Sequence, residues 1–501
     1  MNFETFCEEP WKSSHKVFVS SHLAMTPAPE YASGEIILSS LYREIGFPDV
    51  SEPKVPQLGR DLDREIQKHR NSPKEGSGRA LDADSFHVML HSTLEIPKQP
   101  NQSSKRFLEV TPLVPQVATF SGSARLAGNS WPAGSLIRRM VWLGASSADD
   151  AQKLWNELFQ ALSVDAQDDI FARFIQNEIA LWTPDKVWSK VDIKEGPSLA
   201  SSDRAGLSYP AKQFCTDLSL LIAAKKSMTR RQWASLLESV IRIGVVSHIV
   251  WLCEVHERAA ACLHASLNGG GPKTIEETRV ALFPRVFSFL TYGDRAGETI
   301  KDRAAAYLAG RIRINAILWA LEAVNGSFEG GIGSSDQLLK LCDQVRASAE
   351  TLNNLGVSKN SEEILERESR VILCTKGVGS NIKELWEQAL RQRRVANEML
   401  RGYDQGYFVR KKSASKNSPW VVGFGPVAIL ALVHCSLAGS ASPRSVRRLA
   451  QHLAEYGISV DYQDIAENDL GQQLRILGLV LDSPDAESGM LLVPPFAEQH
   501  A

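Results

Sequence analysis

The stretch "TRRQWASLLESVIRIGVVSHIVWLCEVHERAAACLHASL", Thr229–Leu267, decides the fold. It reads as one long helix, or as two bent at Gly244, and it stops at "NGGGPK" (Asn268–Lys273). A glycine inside a helix weakens it by about 1 kcal/mol relative to alanine, so Gly244 is where the second alternative would place its bend. Trp233 and Trp251 fall on apolar positions and are assigned to a core. Arg230 and Arg231 stand at the helix start, where the macrodipole disfavours cations. They are expected to be solvated, or to meet a carboxylate or phosphate from outside.

Working outward, the same helical period dominates. "SSADDAQKLWNELFQAL" opens with Ser147 and Asp150 at capping-box spacing, followed by an apolar stripe of Leu154, Trp155, Leu158, Phe159 and Leu162. "DDIFARFIQNEIALW" repeats the period with Ile170, Phe171, Phe174, Ile175 and Leu181, and Pro210 marks another helix start. Further helices are expected at 301–323, 336–355, 361–374 and 381–401, with Trp319 and Trp386 packed inside. Glycine-rich breaks at 268–272 and 326–335 suggest seams.

The N-terminal part reads differently. Residues 48–82 are polar and rich in Pro, Gly and charge, which points to a mobile segment with one short helix near Asp61–His69. "SFHVMLHSTLEI" (Ser85–Ile96) and "KRFLEVTPLV" (Lys105–Val114) read as strands. The expected architecture is therefore mainly α: a multi-domain helical scaffold with a small mixed α/β N-terminal part and a further unit at the C-terminus. The boundaries suggested are 1–115, 116–270, 271–402 and 403–501.

The totals exclude several classes. A chain of 501 residues implies about three domains. Lys+Arg 56 against Asp+Glu 58 leaves a formal charge of -2, so any contact with nucleic acid must be local. Seven scattered cysteines without a CxxC pair suit reduced, buried thiols in the cytoplasm. The start "MNFETFCEEPWKSSHKVF" has no apolar signal region. Trp420–Gly439 is free of charge, but Gly423, Gly425 and Pro426 break its front, so no membrane role is expected.

From Pro426 the elements follow a recognisable order. A helix spans 426–438, and "PRSVRRLAQHLAEYG" forms a second with Val446, Leu449, Ala450 and Leu453 inward and Arg444, Arg447, Arg448 and Gln451 outward. Gly457 ends it. Asp464 and Glu467 are expected to cap a third helix, with Ala466, Leu470, Leu474 and Leu477 inward and Gly478 at its end. "LVL" and "MLLV" then pair as a hairpin across Asp482–Gly489.

Three helices and a hairpin in this order resemble the winged helix-turn-helix module over 426–496. The resemblance implies a contact face on the third helix: Asn468, Gln472 and Arg475, side chains that can reach base edges. Arg444, Arg447 and Arg448 would suit phosphates, with Arg410, Lys411 and Lys412 as an electrostatic arm. The arm belongs to "RQRRVANEMLRGYDQGYFVRKKSASK" (Arg391–Lys416), with eight Lys/Arg against Glu398 and Asp404. Against DNA stand eight acids between Pro443 and Phe496, facing four arginines.

Other constellations carry less. His87 and His91, on one face of a strand, would lie roughly 13 Å apart, too far to share a metal. "HST" also echoes half of a phosphoesterase signature. His248, Cys253, His256, Cys262 and His264 read as core residues, the histidines hydrogen-bonded. "NGGGPKT" lacks the GxxxxGK[ST] frame, and "GGIGSS" is a connector. The expectation is a non-catalytic adaptor, without cofactor or metal, in a DNA-associated complex such as a bacterial phage-defence or mobile-element system. Its expected partners are other protein subunits and double-stranded DNA. The rivals are an assembly protein that never touches nucleic acid and an enzyme built on His87 and His91.

Overall fold

A computed structural model of the chain describes residues 2–12, 14–21, 23, 25, 33–50, 60–71, 82–97, 100, 110–120, 133–193, 201–204, 207, 209–400, 402–415, 417–437, 444–482 and 490–496. The fold is mainly α. Its axis is a single helix, Arg230–Leu267, of 38 residues and so roughly 57 Å long. Thr229 and Gln232 cap its start reciprocally. It runs through Gly244 without interruption, and a Cβ at that position would come within 2.5 Å of the Phe214 ring.

This central helix is apolar all round because helices cover it on every side. Ala296–Asn325 packs along it, joined by Pro210–Ala224, Pro426–Leu437, Ser335–Ala347, Gly34–Gly46 and Gly377–Leu390. It is long and apolar enough to cross a membrane, but 94% of its apolar window is buried inside the protein. Trp233, Trp251 and Trp386 are fully buried, as expected, while Trp319 is half-buried against the same core. That core continues from Phe6 to Leu492 through all four segments suggested by the sequence.

A second, smaller core gathers Ile66, Phe86, Leu90, Leu94, Val110, Ile175, Ile179 and Trp182. Here the strand expected at Ser85–Ile96 is a helix, Ala83–Leu94, capped by Asp82, which accepts from the Asp84 and Ser85 amides at 3.0 Å. The apparent alternation was a helical stripe: Phe86, Leu90 and Leu94 recur every fourth residue and are buried. Of the partner strand only the bridge Glu95 to Val110 forms, and residues 105–109 lie outside the described residues. The N-terminal part is thus helical where mixed structure was expected. The short helix in the 48–82 segment spans Arg60–Asn71; its flanks, 51–59 and 72–81, lie outside the described residues.

The stripe on Ile170–Trp182 is also rephased. Ile170 and Phe171 are exposed, whereas Ala172, Ile175, Ile179 and Trp182 face the second core. The helix expected at 381–401 ends at Leu390, because Arg242 draws off its final carbonyls: Nε donates to Ala389 O at 2.6 Å and Nη2 to Arg391 O at 3.1 Å. The chain then leaves the helix axis, and a hairpin follows, Val409–Lys411 against Trp420–Val422, with Lys411 directly opposite Trp420.

At the C-terminus, Pro426–Leu437, Val446–Glu455 and Asp469–Ile476 are helical, and Val480–Asp482 pairs antiparallel with Met490–Leu492. Ser445 bridges to Leu491 on the far side of that hairpin. Val446, Leu449 and Leu453 are buried, and Gly457 and Gly478 end their helices at positive φ. The third helix starts later than expected. Asn468, not Asp464, is its cap, accepting from the amides of Leu470 at 2.9 Å and Gly471 at 3.2 Å.

Candidate functional site

The contact face expected on the third helix is exposed but largely engaged with its own neighbours. Asn468 holds the helix start, so its side-chain oxygen already has two donors. Arg475 pairs with Asp482 of the hairpin at 3.1 Å and donates to Ala466 O at 2.9 Å. Arg410 pairs with Asp469 at 2.7 Å. Gln472 points to solvent, and Ile476 beyond it is 75% exposed. On the second helix, the Arg447 guanidinium lies over the Tyr462 ring at 5.6 Å, and Arg444 and Arg448 are half-buried. Exposed ion pairs are weak, so Arg410, Arg447 and Arg475 can be recruited, but each must first leave a carboxylate or a ring.

The basic segment just upstream is arranged differently. Gln392, Arg393, Arg394, Val395, Ala396, Gly402, Lys411, Ser413, Ala414, Trp420 and Pro100 line a groove of about 490 Å³. No acidic residue lines it among the described residues. Among the cations around it, Arg391 pairs with Glu387 at 2.8 Å and Arg393 with Glu35 at 2.8 Å. Arg394 and Lys412 are exposed. The Trp420 ring carries the Arg391 guanidinium at 4.7 Å and the Lys411 ammonium at 5.5 Å. Of this set only Lys411, Lys412 and the general basic run stand out in the sequence. The signal for Trp420, an aromatic facing a lysine, required the hairpin register.

The floor beneath the loop is a buried charge network. Asp404 accepts from Arg242 at 2.8 Å, from the Arg393 amide at 2.8 Å and from the Gly406 amide at 3.1 Å. Burial opposes its ionisation, yet Arg242 and the other donors hold its carboxyl below the usual range. Glu238, in the same cluster, is pushed well above it by burial and by the neighbouring Glu35. Glu35, Glu238 and Asp404 line a smaller cavity of about 170 Å³ together with Arg231, Ser235 and Tyr403. The network clamps 391–406 to the central helix and so fixes the groove.

The remaining candidates resolve into structural parts. On the helix, His87 and His91 are neighbours with ring centroids 4.3 Å apart, not the separated pair a strand would give. Gln67 contacts His87 at 2.5 Å and Glu95 lies 3.4 Å from His91. Among the described residues, no group of three His, Cys, Asp or Glu side chains has the geometry to hold a metal. His256 bonds to Leu252 O at 2.7 Å, whereas neither ring nitrogen of His248 has a partner among the described residues. Arg230 is neither solvated nor offered to an outside partner. It is buried, donating to Leu113 O at 2.8 Å and pairing with Asp168 at 3.3 Å. No protein family, characterised protein or solved structure matches this chain.

Proposed function

We propose that the protein is a helical adaptor in a DNA-associated complex, touching nucleic acid through the basic groove beside its C-terminal unit. The observation that carries this reading is the segregation of charge. The chain as a whole is near neutral, at -2, yet among the described residues no acid lines the groove formed by Gln392–Ala396, Lys411, Ser413 and Ala414. Local cations of this kind supply phosphate contacts that a neutral protein otherwise lacks. The C-terminal three-helix unit, read as winged-helix-like, lies beside this arm, and the Arg410 to Asp469 pair ties the two together. Seven free thiols suit a reducing compartment such as the cytoplasm.

A second reading rests on Ile476 and Leu481, 75% and 63% exposed in the C-terminal unit. They suit an apolar contact with another protein subunit and no nucleic acid. Anisotropy of a labelled 30-mer duplex at 50 and 200 mM salt separates the two. The adaptor reading expects binding that weakens steeply with salt and drops at least 10-fold in a triple variant, Arg394→Gln, Lys411→Gln, Lys412→Gln. Absence of binding at 50 mM salt to duplex and single strand alike removes nucleic acid and leaves the assembly reading.

A further inference from the structure

We infer that the groove at Trp420 takes a single-stranded stretch of nucleic acid, one unpaired base resting against the indole and its phosphates on Arg394 and Lys411. The inference rests on the reading of the groove as the nucleic-acid contact and goes beyond it in naming the strand state. Three observations carry it. First, the hairpin register places Lys411 opposite Trp420, with its ammonium over the indole at 5.5 Å, so a cation and an aromatic ring are held together on paired strands rather than on a loose arm. Second, Arg391 lies over the indole at 4.7 Å and is itself held by Glu387, which fixes the ring from outside the groove lining. Third, the groove, about 490 Å³, falls within the range of roughly 300–1,000 Å³ typical of small-ligand sites, enough for a nucleotide unit.

The chemistry separates strand states. In a duplex the bases are stacked on each other, and only phosphates and base edges are offered to a protein. An indole at the wall of a groove gains by contact only when a base is already unstacked, and such stacking is tolerant of sequence. Gln392 and Ser413 add an amide and a hydroxyl at the same wall, donors for phosphate or base oxygens. The loop bearing Arg393 and Arg394 does not have to order on binding, because Asp404 already fixes the Arg393 amide at 2.8 Å.

The test uses the full chain and four labelled probes at 100 mM salt: a 12-nucleotide single strand, the matching duplex, a mononucleotide, and a polyglutamate peptide. The expected result is at least 10-fold tighter binding of the single strand than of any other probe. Trp420→Leu should weaken the single strand about 10-fold. Trp420→Phe should retain most of the affinity, and Lys411→Gln should flatten the salt dependence of single-strand binding by about one phosphate contact. Lys411 and Arg394 lie at the surface, so their variants keep the proposal testable if Trp420→Leu fails to fold. Equal or tighter duplex binding overturns the inference while the DNA reading stands. Mononucleotide or polyglutamate binding as tight as the strand also overturns it, in favour of a small-ligand or general anion site. No binding of strand or duplex at low salt removes the reading itself.

Discussion

His248 sits in the middle of the central helix with no exposure, stacked near Trp251, and its ring nitrogens find no partner among the described residues. Burial, with the Arg139 charge as a lesser cause, lowers its pKa to about 3. His256, one face further along, is lowered to about 4 by the same burial. Both are neutral in the fold and take up a proton near pH 6.5 once unfolded. The unfolded chain therefore binds more protons below pH 6.5, so this stability is fully present above 6.5 and is lost as pH falls towards 3 or 4. Each histidine contributes a loss of about 1.4 kcal/mol per pH unit across that window. His248→Phe should remove its own share of the slope: between pH 7 and pH 5 its denaturant midpoint should fall less than that of the parent. An unchanged fall would show that His248 is not the titrating group. Residues of this kind are only half legible in the sequence. The burial of His248 follows from the helical pattern, whereas that of Arg230 follows from no local pattern, because Arg230 is satisfied by Leu113 O and Asp168, each far away along the chain.

Helices are the part of the fold that local pattern does specify. The cap at Ser147, the start at Pro210 and the inward face of Val446, Leu449 and Leu453 all follow from period and capping chemistry, and all form. Errors arise where a distant group decides. Arg242 ends the helix at Leu390, and the buried stripe of Ala83–Leu94 passed for strand alternation because His87, Met89 and His91 interleave polar and apolar residues. At Gly244 one helix and two are both compatible with the sequence, since glycine disfavours a helix; the helix is continuous, and the glycine leaves room for the Phe214 ring. Two effects compete in Gly244→Ala: a propensity gain of about 1 kcal/mol and an overpacking loss of about 1–3 kcal/mol. A Cβ placed 2.5 Å from Phe214 Cδ2, inside a packed core, makes the loss the larger. The variant should melt below the parent, and adding Phe214→Leu should recover part of the deficit. A rise in Tm for Gly244→Ala alone would mean that the glycine does mark a point of weakness.

At the scale of the whole molecule, the larger of the two apolar cores runs from Phe6 to Leu492. Which faces meet is a long-range property that composition and period do not carry. The C-terminal unit illustrates it. Asp217, fully buried on the helix Pro210–Ala224, accepts from Tyr456 at 2.7 Å and from Gln213 at 2.7 Å, with His452 at 3.0 Å. Tyr456 and His452 belong to the C-terminal unit, so a buried carboxylate far upstream is satisfied by it. Proximity to Asp217 and burial both drive the Tyr456 hydroxyl well above its usual pKa, which keeps it a donor. Removing that donor leaves a buried oxygen underbonded at a cost of about 1–3 kcal/mol. In a unit that merely rested on the scaffold, Tyr456→Phe would loosen residues 444–496 alone. A continuous core instead transmits the loss to both partners. Hydrogen exchange should therefore show reduced protection in peptides from Pro210–Ala224 and from the middle of the central helix, together with those from Val446–Glu455. Loss confined to the C-terminal peptides would establish an independently opening unit, and the groove beside it would then have to be treated as movable relative to the scaffold.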